Sequence, residues 1–250
     1  VVASSQTCGS LTISHDDANG VAPVDKTVTY NTVIGVSGEP FKCWITKNLG
    51  ATQQATSVND TSEASAGWYW QFNRKQGYKH TGTARTPSST WVTPITENEN
   101  WGITVDPCRL ELGGTWRIPT RSEYMNVDNA GSWSNYDHAF SSALKLHAGG
   151  LLLQGTGNLS LRGTAGYFWT SMGYTSTDGY DYRITSTVAN AASSVRAHTF
   201  TLRCIKDMPI KVIQGIGISN VERVNGYKIS EIKSINGVSN RSEEHTSELQ

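Results

Sequence analysis

The stretch Asp106–Tyr124, DPCRLELGGTWRIPTRSEY, brings a cysteine, a glycine pair, a tryptophan, a proline and a helix start together. Cys108 has two readings here: a nucleophile in a shaped pocket, or one half of a structural cross-link. Thr120 is placed as an N-cap with Glu123 three residues on, the spacing of a capping box, so a helix starts after Thr120. Tyr124 and Val127 then share a face, and the helix is expected to end near Gly131.

Around this stretch, short strand-like runs recur: residues 27–30 (TVTY), 43–49 (CWITKNL), 67–73 (GWYWQFN), 166–171 (GYFWTS), 180–186 (YDYRITS) and 195–207 (VRAHTFTLRCIKD). Residues 151–163 (LLLQGTGNLSLRG) read as a hairpin, and Gly, Asn, Asp or Ser bound most of the runs, as β-turn chemistry requires. A second helix is predicted over residues 138–150 (HAFSSALKLHAGG), with Phe140, Ala143, Leu144 and His147 on one face before Gly149 and Gly150. About two helices among many short antiparallel strands predict an α+β domain instead of a doubly wound parallel one.

The chain has 250 residues with 37% hydrophobic content, enough to bury a core. No apolar run approaches the roughly 20 residues needed to span a bilayer, so no membrane insertion is expected. The chain starts at Val1 with neither a methionine nor an apolar signal segment, which reads as a processed form or a fragment. Residues 241–250, RSEEHTSELQ, resemble the in-frame translation of a common sequencing adapter and are set aside. Without them 21 basic and 21 acidic residues become 20 and 18, a balance with no electrostatic footprint for nucleic acid. Cys8, Cys43, Cys108 and Cys204 are too scattered for a zinc site. In a chain rich in Ser, Thr, Gly and Asn, four such cysteines predict two disulfides and an extracellular or cell-surface setting.

Residues 1–29 read as a polar leader, residues 30–207 as the domain, and residues 208–240 as a different texture. In that tail Val221 and Ile232, Val224 and Ile235, Asn225 and Asn236, and Gly226 and Gly237 repeat eleven apart. Asn-Gly between β-branched alternations predicts tight turns joining short strands, a β-rich repeat that buries its apolar face by stacking on neighbours.

The ordered signposts CWITKNLG, GWYWQFN, DPCRLELGGTWRIPTRSEY, LKLHAGG, RGTAGYFWTS and TFTLRCIKD resemble the major paralogous domain family named after Fibrobacter succinogenes, over Tyr30–Asp207. That family has a Trp with Asn-Leu in its opening strand, a C-P-x-G-W-x-x-P-x-x-x-E-W segment, a G-Y-F-W-S-S strand and a closing V-R-C. The corresponding residues here are Trp44 with Asn48-Leu49, Cys108 to Tyr124, Gly166 to Ser171, and Leu202-Arg203-Cys204. The chain departs from the pattern where Pro107 precedes Cys108, where Arg109–Leu112 are inserted before Gly113, and where Tyr124 replaces Trp. The resemblance implies a C-type-lectin-like fold, related to that of the formylglycine-generating enzymes. It also implies that Cys108 is joined to Cys204, a staple between the helix start and the last strand. Cys8 and Cys43 are then left for the second bridge. In that setting Trp116 supplies buried surface, the glycine pair lets backbones approach, and Pro119 sets up the Thr120 cap.

An oxidase of the formylglycine-generating type needs two reactive cysteines near the C-terminus, and only Cys204 stands there. Calcium-dependent sugar binding in the manner of true C-type lectins needs an E-P-N type triplet. Here Glu39-Pro40 is followed by Phe41, while Asp16, Asp17, Asn19 and Asp178 precede glycines as turn formers. Neither a metal nor any other cofactor is therefore expected. No histidine stands in a nucleophile–base pattern, His147 reads as a core residue with a backbone partner, and Glu97 and Glu99 read as a solvated turn. Most framework aromatics (Trp44, Trp68, Trp70, Trp116, Tyr167 and Trp169) read as core. Those among turn residues, Trp133, Tyr136, Tyr174, Tyr180 and Tyr182, are candidates to present stacking faces, with Asn135, Asp178, Asp181 and Arg183 as hydrogen-bonding partners. The expectation is a non-catalytic adhesion module for a glycan or cell-surface protein, attached to a larger assembly through its repeats. The alternative is a phage tail-fibre or structural receptor-binding protein.

Overall fold

Strands outnumber helices among the described residues, and most of them are short. In the computed structural model, residues 8–208 are described, together with the backbone of four two-residue strands further on. The strands are β1 (Leu11–His15), β2 (Lys26–Tyr30), β3 (Thr32–Val36), β4 (Glu39–Ile45), β5 (Tyr69–Gln71), β6 (Gly77–His80), β7 (Arg85–Thr86), β8 (Trp116–Arg117), β9 (Leu151–Leu152), β10 (Leu159–Ser160), β11 (Ala165–Gly173), β12 (Asp178–Thr185), β13 (Ala189–Val195), β14 (Thr199–Phe200) and β15 (Ile205–Asp207). The helices are α1 (Glu63–Ala66), α2 (Pro107–Leu112), α3 (Arg121–Gly131) and α4 (Tyr136–Ser141). The class is α+β. Its antiparallel sheets run β1-β2, β10-β9-β14-β5-β6-β7, β11-β12-β13 and β3-β4-β15-β8.

Both pairs of cysteines are joined, and both bridges act on one sheet. Cys108–Cys204 closes 96 residues with Cα atoms 5.5 Å apart, and Cys8–Cys43 closes 35 with Cα atoms 5.9 Å apart. Cys204 directly precedes β15, which lies between β4 and β8 and sets Ile205 opposite Trp44 and Arg117. A closed loop of that length raises stability by about 4–5 kcal/mol in the chain-entropy account. Cys108 is therefore the staple and not a free thiol.

Helix α3 forms as its sequence dictates. The Thr120 hydroxyl accepts the Glu123 N–H, and Glu123 accepts the Thr120 N–H at 2.8 Å in return. Tyr124 and Val127 are buried on its inner face, where the Tyr124 ring stacks on Tyr182 at 5.1 Å. Trp44, Phe168, Ile184, Leu144, Leu146 and Ile205 complete that core. Each such side chain gains about 1.5–3 kcal/mol on full burial.

The structure corrects several sequence expectations. Among the described residues four short α-helices form instead of about two. Over residues 138–150 the helix begins earlier, because the Asn135 side chain accepts the N–H groups of Asp137 and His138, and it stops at Ser141, where Ser142 turns extended. Ala143 is consequently exposed, and His147 lies beyond the helix. His147 is buried, yet neither ring nitrogen has a partner among the described residues. Burial, helped by the nearby Arg203 charge, lowers its pKa to about 3 and keeps it neutral. Gly113 and Gly114 adopt φ of 73° and 60° with nothing within 4 Å of a built Cβ, so they reverse the chain and do not admit a close neighbour. Glu97 is no solvated turn residue, since it receives Arg74 at 3.0 Å and Arg196 at 3.6 Å.

Cys8–Asp207 forms one compact unit, so β1, in the stretch read as a leader, pairs with β2 inside it. Val1–Thr7 and Met208–Gln250 make up a second unit. There Arg223–Val224 pairs antiparallel with Tyr227–Lys228, and Ser234–Ile235 with Val238–Ser239. Otherwise the repeat tail over 208–240 and the adapter-like segment 241–250 lie outside the described residues. Among the described residues no helix is long and apolar enough to cross a membrane.

Candidate functional site

Strands β11 and β12 are joined by a turn that holds one aromatic ring out to solvent. Asp178 closes this turn: its carbonyl accepts the N–H groups of Tyr174 and Thr175, and its carboxylate accepts the hydroxyls of Thr175 and Thr177. From beneath, the buried Arg196 donates two hydrogen bonds to the Thr175 carbonyl and one to that of Glu99. On this braced turn Tyr174 is 55% exposed, with its ring 4.9 Å from that of Tyr180. Arg121, the first residue of α3, places its guanidinium 5.0 Å from the Tyr180 ring centroid.

Thr120, the residue before Arg121, and Ser171, on β11 three residues before Tyr174, line a cleft of ≈ 400 Å³ together with Trp101, Ile103, Arg109 and Arg117. The Ser171 N–H donates to the Pro119 carbonyl at 2.8 Å, which fixes β11 against the start of α3. Below the cleft the buried Asp106 carboxylate accepts the N–H groups of Cys108, Arg109 and Ile118, so a single side chain caps α2 and anchors the end of β8. Burial raises its pKa despite those three donors. At Glu123 burial also opposes ionisation, but hydrogen bonds from Arg117 at 2.6 and 2.8 Å win, and its pKa falls to about 2. Arg117 and Lys42 also reach Asp207, giving two cations and two carboxylates on one network. A second cleft of ≈ 640 Å³ shares Ile103 and Arg109 and adds Leu110, so the groove continues past Arg109.

The residues singled out from sequence are divided by the fold. Because side chains alternate along a strand, Tyr180 and Tyr182 face α3, while Asp181 and Arg183 face the opposite side of the sheet. Tyr182 is fully buried in the core instead of lying in a loop. Trp133 is only 8% exposed, with its ring edge-on to Tyr182 at 6.2 Å, so it is a core residue and presents no stacking face. Asn135 is spent on capping α4, and the half-buried Tyr136 packs against the core.

On the far face Asp181 is fully buried. One of its oxygens lies 3.5 Å from the Arg183 guanidinium, the other has no partner among the described residues, and burial lifts its pKa to about 6. Arg183 also donates to the Ser194 hydroxyl at 3.1 Å and lies over the Tyr167 ring. Of the sequence candidates, Tyr174, Asp178 and Tyr180 are therefore brought together, and the others serve elsewhere.

Sequence reasoning missed Arg121, Arg109, Ile103 and Trp101. The signal for Arg109 was present in the D-P-C stretch, since Asp106 and Pro107 start a helix that carries Arg109 on its exposed face. For Arg121 the signal was only its place after the cap, because Tyr180 is its neighbour in space and not in sequence.

The carboxylates of Asp16, Asp17 and Asp25 lie within 4.8 Å of one another, all exposed. Asp16 accepts the Ala18 N–H and Asp25 accepts the Asp17 N–H, so two of them close a turn. In comparison with known proteins, the chain matches no family model, no curated protein and no solved structure.

Proposed function

We propose that this chain is an extracellular binding module of the Fibrobacter succinogenes major paralogous type, with C-type-lectin-like architecture, and that it grips a glycan at the Tyr174–Tyr180–Arg121 edge and the adjoining cleft. The observation that carries the reading is the Tyr174 ring, more than half exposed on a turn braced from below by Arg196. An aromatic held rigid and wet loses little entropy on stacking against a sugar ring, and polar groups beside it supply hydrogen bonds. The two disulfides favour an oxidising compartment. They also occupy positions that suit the resemblance, with one bridge tying the Cys108 segment to the closing strand. A glycan array probed with the oxidised chain tests the reading. Tyr174→Ala and Tyr180→Ala should each weaken a hit about tenfold or more while leaving the thermal midpoint close to the parent's. Unchanged binding by both variants would reject this edge, and a blank array would reject the glycan.

The two antiparallel pairs beyond Asp207, offset by eleven residues, favour attachment to a larger assembly through the tail. That is also the feature a tail-fibre or structural receptor-binding protein would have, and such a protein is the second reading.

A further inference from the structure

The arginines of the described unit fall into three groups. Arg74, Arg117, Arg183 and Arg196 each stand against a carboxylate. Arg85, Arg162 and Arg203 are spent on carbonyls or neutral side chains. Arg109 and Arg121 remain. Among the described residues the Arg109 side chain has no hydrogen bond or ion pair, and Arg121 has only the Tyr180 ring, its Nε buried without a partner. Arg109 lines the cleft, and Arg121 directly follows Thr120, which also lines it.

No acid at the cleft is free to neutralise this pair. Asp106 is engaged by three backbone N–H groups, Asp207 by Lys42 and Arg117, and Glu123 by Arg117, Lys42 and Thr120. One unpaired surface arginine is ordinary. Here one lines a groove whose acids are all occupied, and the other follows a lining residue and reaches, through the Tyr180 ring, the most exposed aromatic ring among the described residues.

We infer that the ligand of this edge is an acidic glycan, whose carboxylate or sulfate groups are received by Arg109 and Arg121 while a ring stacks on Tyr174. The inference rests on the glycan reading above and names its chemical class. The planar guanidinium fork matches the oxygens of a carboxylate or sulfate, which a neutral sugar does not offer. Because Arg109 is shared between the two clefts, the groove suits a run of sugars, not one ring.

The test titrates the oxidised full chain with oligogalacturonate, its methyl ester, dextran sulfate, dextran and polyglutamate. The ester keeps the rings and removes the charge, and polyglutamate keeps the charge and removes the rings. The expected result is that one acidic glycan binds about tenfold or more tighter than its neutral counterpart, less tightly as salt rises, and tighter than polyglutamate. Arg109→Glu, on the exposed face of α2, and Arg121→Gln should each remove most of that advantage without moving the thermal midpoint. Arg109→Lys should keep part of it. Equal affinity for charged and neutral partners overturns the acidic class and leaves the glycan reading standing. Undiminished acidic binding by both variants overturns the site, and polyglutamate binding as tightly overturns the glycan as the source of the charge. Failure of all four glycans, with a blank array, overturns the reading beneath it.

Discussion

Glu123 and Asp181 are both carboxylates withdrawn from water, one at the first turn of α3 and one in the middle strand of the β11-β12-β13 sheet. Glu123 receives Arg117 twice, Lys42 and the Thr120 backbone, and its pKa falls to about 2. Asp181 has one arginine at 3.5 Å and an oxygen with no partner, and its pKa rises to about 6. Burial of both thus has opposite results, because what decides ionisation is how many donors meet the charge once most of the water is gone. At Glu123 the donors outweigh burial, and at Asp181 they do not.

Removing the staple is expected to have the largest effect. Cys108→Ser with Cys204→Ser should lose about 4–5 kcal/mol, read as a fall in the denaturant midpoint under non-reducing conditions. The Asp181 contribution should survive in this variant, since neither cysteine touches it. A loss under about 1 kcal/mol would mean that β15 is held by its hydrogen bonds and packing alone.

Glu123→Gln comes next. Its lowered pKa means a contribution that is present above the unfolded value near 4.5 and lost as pH falls toward 2. The variant should therefore be less stable by about 3 kcal/mol at pH 7 and converge with the parent near pH 2. Urea unfolding across that range measures the gap, and a constant gap would deny Glu123 its charge-based role.

Asp181→Asn should show the opposite sign. A raised pKa favours the fold below the unfolded value near 3.8, and that contribution is lost as pH climbs through about 6. The variant should gain on the parent between pH 4 and pH 7 by about 2 kcal/mol. If its stability relative to the parent instead falls over that interval, the Arg183 contact outweighs desolvation and the contrast with Glu123 disappears.

The staple region was the more legible from sequence. A capping box is local chemistry, so Thr120 and Glu123 announced α3 to within a residue. The strands were legible from alternation and turn residues, as Leu151–Leu152 against Leu159–Ser160 illustrates. Helix α4 was misplaced because the apolar spacing from Phe140 to His147 looked helical, whereas the Asn135 cap fixed the start and Ser142 ended it. At the candidate site Tyr174 and Tyr180 could be singled out, but turn residues around an aromatic do not say which way it points. Trp133 folds back over Gly131, where a Cβ would stand 2.3 Å from its Nε1, and so enters the core. Partners far apart in sequence, such as Arg121 with Tyr180, carry no local signature at all.

The two cross-links also set how the unit bears a pull. Tension applied at Cys8 and leaving at Asp207 passes through sulfur from Cys8 to Cys43 and again from Cys108 to Cys204, so residues 9–42 and 109–203 are out of line with it. Residues 44–107 and the three after Cys204 can be drawn out, roughly 200 Å of slack instead of roughly 700 Å. The Tyr174 edge and α3 lie inside the second bypassed loop, whereas Trp101 and Ile103 of the cleft wall lie in the span that can be drawn out, so a pull strong enough to extract that span would strip the cleft of one wall and leave the Tyr174 edge tied to α3.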